Sequence, residues 1–235
     1  TYNLFGHYFT GILGHGVITT SHFLDINVFT TDGLFGIPIR VAATYAFLFV
    51  LFGTFFEKSG GSNFFFNVSK RLAGKTRGAP AKISVLSSAL FGTMSGSPTS
   101  DVVATGSITI PLMKKFKYPA GMAGGIEVAA STGGSLLPPV MGSAAFIMSE
   151  FTEIPYLSIV SVALFPALVY YLSLLIQVHF RSPVSNSISV YAEDAFRVIN
   201  IYDLLYLMPL IGLIFMLVLG FSPTMVAAIS TCLIW

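Results

Sequence analysis

The chain has 235 residues, of which 54% are hydrophobic and only 9% are charged, and its mean hydropathy is +0.80. Soluble domains carry about 25% charged residues, so this composition excludes an ordinary soluble domain and predicts an all-α polytopic membrane protein. The net charge of +2 is too small to indicate a nucleic-acid partner. The single cysteine, Cys232, lies in an apolar run and offers neither a disulfide framework nor a metal site.

Residues 1–78 are predicted to form an extracytoplasmic or interfacial segment, one transmembrane helix and a basic cytoplasmic loop. Residues 1–33 contain no apolar stretch long enough to span a bilayer, whereas Leu34 to Phe56 exceeds the roughly 20 residues that a spanning helix needs. After a short segment from Asn63 to Val68, basic residues accumulate. Because short cytoplasmic loops are enriched in Lys and Arg, this loop is placed in the cytoplasm. Its basic residues are Lys70, Arg71, Lys75, Arg77 and Lys82.

A re-entrant helical hairpin is predicted next. Ile83 to Met113 is mostly apolar and has no Lys or Arg, and a second basic cluster follows at residues 114–117. One helix over this stretch would be too long, and one crossing would place the second basic cluster outside. Two half-length helices that meet at Ser95–Pro98 return the chain to the cytoplasmic side. We expect Ser97 to cap the second half-helix, with Pro98 at its first position, where a missing N–H costs nothing.

A second broken helix is predicted from Ala120 to about Glu150, crossing outward with an interruption at Ser131–Pro139. The interruption combines small hydroxylated residues and glycine with two prolines. Hydrocarbon tolerates non-helical backbone only where it is buried in protein or lines a wet cavity. Residues 79–155, which hold both breaks, are therefore predicted to form half of a transport site.

Residues 156–235 are predicted to be transmembrane helices with a cytoplasmic connector. Tyr156 to Val178 returns to the cytoplasm, residues 182–203 form an amphipathic connector, and Leu204 to Phe221 crosses outward. A further apolar run begins near Met225 and is cut short at the last residue, which predicts that the chain is a truncated part of a longer protein. In this topology nearly all Lys and Arg residues fall on the cytoplasmic side, as expected for membrane proteins.

The two breaks suggest an ion and substrate site. A half-helix that ends inside the membrane exposes unpaired N–H groups at one end and unpaired C=O groups at the other, and secondary transporters use such ends to bind substrate and coupling ion near the midplane. Hydroxyl and carbonyl oxygens suit Na⁺. Close helix packing through small residues is the alternative explanation, and the spacings of Gly92 with Gly96 and of Gly121 with Gly125 fit it.

Two acidic residues, Asp101 and Glu127, are predicted to lie within the bilayer, where acids are costly and indicate function. Asp101 lies one turn into the second hairpin helix, where it either caps the tip or coordinates an ion or couples protons. Glu127 is expected to be protonated or paired, with a structural role favoured over a functional one.

The sequence favours a carrier over an enzyme. Ser95-Gly96 partly matches the G-x-S-G motif of intramembrane serine proteases, but Thr93 stands where that motif requires glycine. No histidine occurs between His22 and His179 to serve as a nearby base, so no enzyme and no cofactor are predicted. A pore-forming channel stays open, because re-entrant loops also line pores.

Several segments closely resemble the large membrane (permease) subunit of TRAP transporters, and the pattern is most similar to the TAXI-type subgroup, in which the small and large membrane subunits are often fused. The resemblance runs from about Gly6 to Tyr156 and fades beyond it. The matching segments, in chain order, are Leu34 to Pro38, Ala43 to Gly53, Ser95 to Ser97, Thr109 to Lys115, Ala129 to Gly134 and Pro138 to Gly142.

The resemblance implies one half of an inverted-repeat elevator-type transporter in the bacterial or archaeal cytoplasmic (inner) membrane. An extracytoplasmic substrate-binding protein would deliver an organic anion, such as a carboxylate, and the permease with its small membrane subunit would import it with Na⁺. The second inverted repeat, with its own hairpin, is expected outside this chain. A binding-protein-independent Na⁺/carboxylate symporter is, with the channel, the alternative.

The predicted ion- and substrate-binding residues come from the two breaks. The resemblance assigns Na⁺ contacts to residues with hydroxyl or backbone oxygens, namely Ser95, Ser97, Ser131, Thr132 and Gly133. The full predicted set is Ser95, Gly96, Ser97, Thr99, Asp101, Ser131, Thr132, Gly133 and Gly134.

Overall fold

The computed structural model describes residues 2–9, 11–31, 33–73, 76–182 and 205–234. Within these ranges the secondary structure is entirely helical, which agrees with the predicted all-α class. Two compact units are present, Thr1–Thr44 and Tyr45–Trp235. The functional division at residues 78 and 155 stays a prediction.

The first unit consists of short helical elements, where the sequence predicted a loop or interfacial segment over residues 1–33 and the start of a transmembrane helix from Leu34. Many of its large apolar side chains are exposed, including Ile12, Val17 and Phe29. Its elements are α1 (Tyr2–Phe5), 3-10 turns at Gly6–Tyr8 and Gly11–Leu13, α2 (Thr20–Leu24), a π-helical turn at Asp25–Phe29, and α3 (Ile37–Val41).

The second unit holds the longer helices. A π-helical turn at Ala42–Ala46 leads into α4 (Phe47–Lys58). The remaining elements are α5 (Gly61–Ala73), α6 (Ala79–Ser95), α7 (Pro98–Ala104), α8 (Gly106–Lys115), α9 (Ala120–Gly134), α10 (Ser143–Thr152), α11 (Tyr156–Arg181), α12 (Met208–Val218) and α13 (Pro223–Cys232).

Two helical stretches among the described residues are long and apolar enough to cross a membrane. They run from Ile37 to Lys58 and from Tyr156 to Arg181, over 22 and 26 residues. Both lie close to the predicted spans. α12 and α13 fall on the last two predicted apolar runs and pack against each other. The predicted connector lies outside the described residues apart from its first position, Ser182.

One predicted loop is largely a helix. α5 covers the short segment from Asn63 and the first basic residues, Lys70 and Arg71, which lie in its last turn. Phe64 and Phe65 are buried, and the Phe65 ring lies 5.2 Å from that of Phe56 on α4. This apolar face makes α5 a packed helix, while the basic residues at its carboxyl end favour the negative end of the helix dipole.

α6 is the centre of the second unit. It packs against α4, α5, α7, α8, α9 and α11, and most of its residues are buried. Ala81 and Val85 join an apolar cluster that also includes Ala130 on α9 and Tyr171 on α11. Its many Ser, Ala and Gly residues let neighbouring helices approach closely, so the fold is arranged around the first arm of the predicted hairpin.

Candidate functional site

The first break separates α6 from α7 at the predicted position. α6 ends at Ser95, and Gly96 follows in the left-handed conformation with φ 58°. Pro98 opens α7, where its fixed φ suits the first helical turn. Glycine suits the intervening turn because only glycine adopts positive φ without steric cost.

The two arms of this break fold back on each other. The hydroxyl of Ser88 on α6 lies 2.9 Å from that of Thr105 at the end of α7, and α6 also packs along α8. The arms are therefore antiparallel, which makes the stretch a helical hairpin. That both ends of the hairpin lie on one side of a membrane stays a prediction.

The predicted side-chain cap at Ser97 is wrong in its details. Ser97 occupies the N-cap position of α7 with extended backbone, but its hydroxyl makes no capping hydrogen bond. Its Oγ instead lies 3.1 Å from the Oγ1 of Thr99, and its N–H donates to the Oγ of Ser95 at 3.2 Å. Neighbouring hydroxyls thus compete with the backbone for the side chain of Ser97.

The second break begins later than predicted. α9 continues through Ser131 to Gly134, and the interruption lies between Ser135 and Gly142. Small residues keep their backbone N–H groups, so they do not by themselves end a helix. Pro138 and Pro139 lack that N–H and coincide with the interruption.

The two breaks meet. The N–H of Val140 donates to the carbonyl of Thr93 at 3.2 Å. A Cβ added at Gly96 would overlap the carbonyl oxygen of Met141, so glycine is required there for space as well as for φ. Beside this contact is a cavity of about 460 Å³. Its lining includes Ser95, Gly96 and Ser97 from the first break, Ser135, Met141, Gly142, Ser143 and Ala144 from the second, and Phe49 and Phe146 as an aromatic wall.

Only three of the nine predicted residues line this cavity, and the other six lie elsewhere. Thr99 is exposed next to Ser97. Thr132 is exposed and donates to the carbonyl of Val128 in its own helix at 2.7 Å. Ser131, Gly133 and Gly134 are buried in the last turn of α9 and are not part of the cavity lining. The predicted site set omits the lining residues Ser135, Gly142 and Ser143, although Ser135 and the two prolines belonged to the predicted break.

Asp101 lies below the hairpin tip and is 0% exposed. Ser95 donates a short hydrogen bond to its Oδ1, whereas Oδ2 has no hydrogen-bond partner among the described residues. A Cβ added at Gly134 would overlap Oδ2, and one added at Gly92 would lie 3.0 Å from it. The carboxylate therefore sits over two glycines that offer it no side-chain donor.

Gly133 is a packing residue. A Cβ there would lie 2.6 Å from the ring of Tyr170 and 2.8 Å from that of Tyr171. Both tyrosines belong to α11 and donate from their hydroxyls to the carbonyls of Ala129 and Ala130 at 2.7 and 2.9 Å. This part of the predicted break, which lies within α9, thus follows the packing explanation.

The second break is also held by α11 near its prolines. Tyr156 donates from its hydroxyl to the carbonyls of Pro139 and Val140, at 2.8 and 2.6 Å, and its ring stacks on that of Phe146. α11 therefore supports both sides of the interruption.

Glu127 is 0% exposed and is paired through hydroxyl groups. Ser84 and Ser88 on α6 donate to it at 2.6 and 2.9 Å. Thr105 and Thr109 on the other arm donate as well. This agrees with the structural role that the sequence favoured.

The family model for the tripartite ATP-independent periplasmic transporter, DctM component, matches residues 5–234. The chain belongs to this DctM family. The family consists of transporter permease components, so the protein is not an enzyme. The resemblance to the TRAP large membrane subunit is thereby confirmed at the level of the family, and the TAXI-type subgroup is not.

Named relatives of this DctM chain include permeases for different substrates. It is 28% identical to the C4-dicarboxylate TRAP transporter large permease protein DctM of Pseudomonas aeruginosa over 219 residues, 88% of this chain and 50% of the relative. It is 35% identical to the sialic acid TRAP transporter large permease protein SiaM of Vibrio cholerae over 91 residues, 39% of this chain and 21% of the relative. For the 2,3-diketo-L-gulonate permease protein YiaN of Escherichia coli, identity is 28% over 100 residues, 43% and 23% of the two chains. The chain thus spans at most about half the length of these relatives.

Proposed function

We propose that this chain supplies half of the ion and substrate site of a TRAP permease that imports an organic anion together with Na⁺. The observation that carries the proposal is the meeting of two helix breaks at one cavity of about 460 Å³. A buried carboxylate with an unpartnered oxygen, Asp101, lies next to the lining residue Ser95.

The two helix ends at the cavity have opposite polarity. The carboxyl end of α6, at Ser95 and Gly96, presents carbonyl groups and favours a cation, whereas the amino end of α10, at Ser143 and Ala144, presents N–H groups and favours an anion. Cation and anion could therefore be held in the same cavity. Such paired use of broken helices is typical of secondary transporters.

Hard oxygen ligands suit the cation. Ser95 and Ser97 contribute hydroxyls at the tip, and the Oδ2 of Asp101 is a buried carboxylate oxygen without a hydrogen-bond partner among the described residues. A buried carboxylate requires compensation by hydrogen bonds or charge. A Na⁺ ion near Ser95 would compensate the charge through space, and the hydroxyls of Ser95 and Ser97 that line the cavity suit it as ligands, whereas the Oδ2 of Asp101 faces Gly92 and Gly134.

The named relatives support the substrate class. Their printed substrates are C4-dicarboxylates, sialic acid and 2,3-diketo-L-gulonate, which are all organic acids. We extend to this chain the other parts of a tripartite system: a substrate-binding protein, a small membrane subunit, a location in the bacterial or archaeal inner membrane, and elevator motion of a second, inverted half. The re-entrant path of the hairpin and the TAXI-type subgroup belong to the same proposal.

Uptake by the full-length permease tests the proposed function. The protein, its small membrane subunit and its binding protein are reconstituted in liposomes, and uptake of a labelled organic anion is measured with an inward Na⁺ gradient, with K⁺ replacing Na⁺ as the control. We expect uptake only with Na⁺ and binding protein together. Uptake without the binding protein would favour the simple symporter, uptake indifferent to Na⁺ would contradict the coupling, and unitary current steps in planar bilayers would favour the channel.

A further inference from the structure

The carboxylate of Glu127 joins both hairpin arms to α9. Its Oε1 accepts from Ser88 and Thr105, and its Oε2 accepts from Ser84 and Thr109. Two donors stand one turn apart on α6, and two stand one turn apart on the α7–α8 arm. We call these four hydroxyls and the carboxylate the Glu127 clasp.

The clasp is complete without a basic residue. All five side chains are buried, and each carboxylate oxygen accepts two hydrogen bonds, which matches the roughly four acceptor sites of an ionised carboxylate. A buried polar network adds rigidity when every member is satisfied. Because its donors come from both arms, neither arm can slide along α9 without breaking two of these hydrogen bonds.

The clasp lies below the cavity on the same three elements. Thr105 follows Asp101 by one helical turn, and Ser88 precedes Ser95 on α6 by about 10 Å of helix. On α9, the turns that follow Glu127 lead to Gly134 and the second break. The clasp fixes how far α6, the α7–α8 arm and α9 are shifted along one another. This shift determines how the two breaks meet at the cavity.

We propose that Glu127 is a positioning residue that fixes the hairpin to α9, so that both breaks are carried as one rigid unit. The identity of the ligand that this unit binds rests on the proposed function, but the proposed rigidity of the unit does not. The proposal is therefore open to a structural measurement that needs neither substrate nor Na⁺.

Spin labels on exposed positions give that measurement. In the full-length protein with its native cysteines replaced, labels at Val103 on α7 and Val128 on α9, both exposed, report the distance between hairpin and α9 by pulsed electron paramagnetic resonance. A second pair, Val128 with Leu168 on α11, reports the packing held by the tyrosines of α11. Each pair is recorded in the native sequence and in the Glu127→Ala variant.

We expect one narrow distance for both pairs in the native sequence. In Glu127→Ala the hairpin pair should broaden, while the α11 pair stays narrow. A hairpin pair that stays narrow would overturn the proposal, and so would equal broadening of both pairs, since that would indicate a general loss of structure.

Two further variants keep the test decisive where Glu127→Ala does not fold. Thr105→Val with Thr109→Val removes the donors of one arm at nearly constant volume and should broaden the hairpin pair alone. Ser87→Ala is the matched control, because Ser87 is buried on α6 but donates to the carbonyl of Ser84 in its own helix, and it should leave both distances narrow. Broadening by Ser87→Ala equal to that by the threonine variant would overturn the assignment to the clasp.

Uptake adds a functional readout. If the proposed function holds, Glu127→Ala should raise the Na⁺ concentration for half-maximal uptake as well as lower the maximal rate, since a displaced tip binds the ion less well. A change in maximal rate alone at equal protein content would contradict positioning. If no Na⁺-driven uptake is found even in the native sequence, the proposed function fails, and the distance measurement still decides the role of Glu127.

Discussion

Asp101 and Glu127 are two buried carboxylates on neighbouring helices, and they differ in how many hydrogen bonds the surrounding protein donates to them. Both are 0% exposed. Glu127 accepts four hydrogen bonds from hydroxyls, whereas Asp101 accepts one, from Ser95, and has an oxygen with no partner among the described residues. Burial alone therefore does not identify a ligand site. The acid whose hydrogen bonding is incomplete, Asp101, is the one that we propose for the ion site.

The difference arises from what faces each acid. Around Glu127, hydroxyl residues recur at one-turn spacing on both arms, so that every carboxylate lone pair finds a donor. Around Asp101, the facing positions are Gly92 and Gly134, which let the helices approach but provide no side-chain donor. The first environment satisfies the carboxylate completely, and the second leaves one carboxylate oxygen without a donor among the described residues.

Removal of the Glu127 carboxylate should give the largest loss of stability. Glu127→Ala leaves a cavity and buried hydroxyls without their acceptor, so we expect a destabilisation of about 3–5 kcal/mol. Denaturant-induced unfolding of the purified full-length protein in detergent measures it. Glu127→Gln keeps the volume and one acceptor and should lose less. A free energy of unfolding for Glu127→Ala within about 0.5 kcal/mol of the native value, the range of ordinary surface changes, would contradict a structural role for Glu127.

A methyl group between α9 and the hairpin should have the next largest effect. A Cβ on Gly134 would lie 2.9 Å from the Cα of Gly92 and would overlap Asp101, so Gly134→Ala should cost about 1–3 kcal/mol through overpacking. The matched control is Gly124→Ala in the same helix, where nothing lies within 4 Å. Alanine there should be neutral or stabilise by about 0.5–1 kcal/mol. Equal changes in stability for both variants would show that Gly134 is not in tight contact with Gly92 and Asp101.

Asp101→Asn should affect ion dependence far more than stability. Asparagine keeps an acceptor for Ser95 and the same size, but it lacks the charge that would attract a cation. We expect the Na⁺ concentration for half-maximal uptake to rise by about tenfold, equivalent to about 1.4 kcal/mol of ion binding. Uptake at varied Na⁺ by reconstituted protein measures it, with Ser87→Ala as the control for a buried change nearby. An unchanged Na⁺ dependence would assign Asp101 a structural role.

The smallest effect is expected at Thr132. Its side chain is exposed and bonds to its own helix, so Thr132→Val should change Na⁺-dependent uptake by about twofold or less, as for an ordinary surface substitution. Ser97→Ala is the comparison, because Ser97 lines the cavity, and its loss should be larger. A greater loss of Na⁺-dependent uptake in Thr132→Val than in Ser97→Ala would indicate that the ion site lies at the end of α9.

Much of this fold follows from the sequence because apolar length and basic loops constrain it. Both long helices and the reversal at Ser95–Pro98 were predictable from the spacing of Lys and Arg and from a proline after small residues. α5 was not, since its helix depends on burying Phe64 and Phe65 against neighbours that the local sequence does not reveal.

The site itself was predictable only in part. The hairpin tip was predicted correctly. Ser131 to Gly134 were predicted to bind the ion because hydroxyl and glycine residues are typical of ion sites, but the same residue types also occur in close helix packing, and the structure places this segment within α9. Gly133, which the sequence assigned to Na⁺, lies against Tyr170 and Tyr171, so Gly133→Ala should disturb this packing before it alters ion binding. The four partners of Glu127 come from the two arms of the hairpin, and nothing in the single sequence pairs them with α9.

The most direct test of the contrast between the acids is stabilisation of the full-length protein by Na⁺. A ligand that binds only the folded state raises its melting temperature, so melting is recorded in Na⁺ and in K⁺ at equal ionic strength for the native protein, Asp101→Asn and Glu127→Gln. We predict that Na⁺ raises the melting temperature of the native protein and of Glu127→Gln, whose starting value is lower, and that Asp101→Asn loses this increase. A Na⁺-specific increase that survives in Asp101→Asn and vanishes in Glu127→Gln would contradict the account.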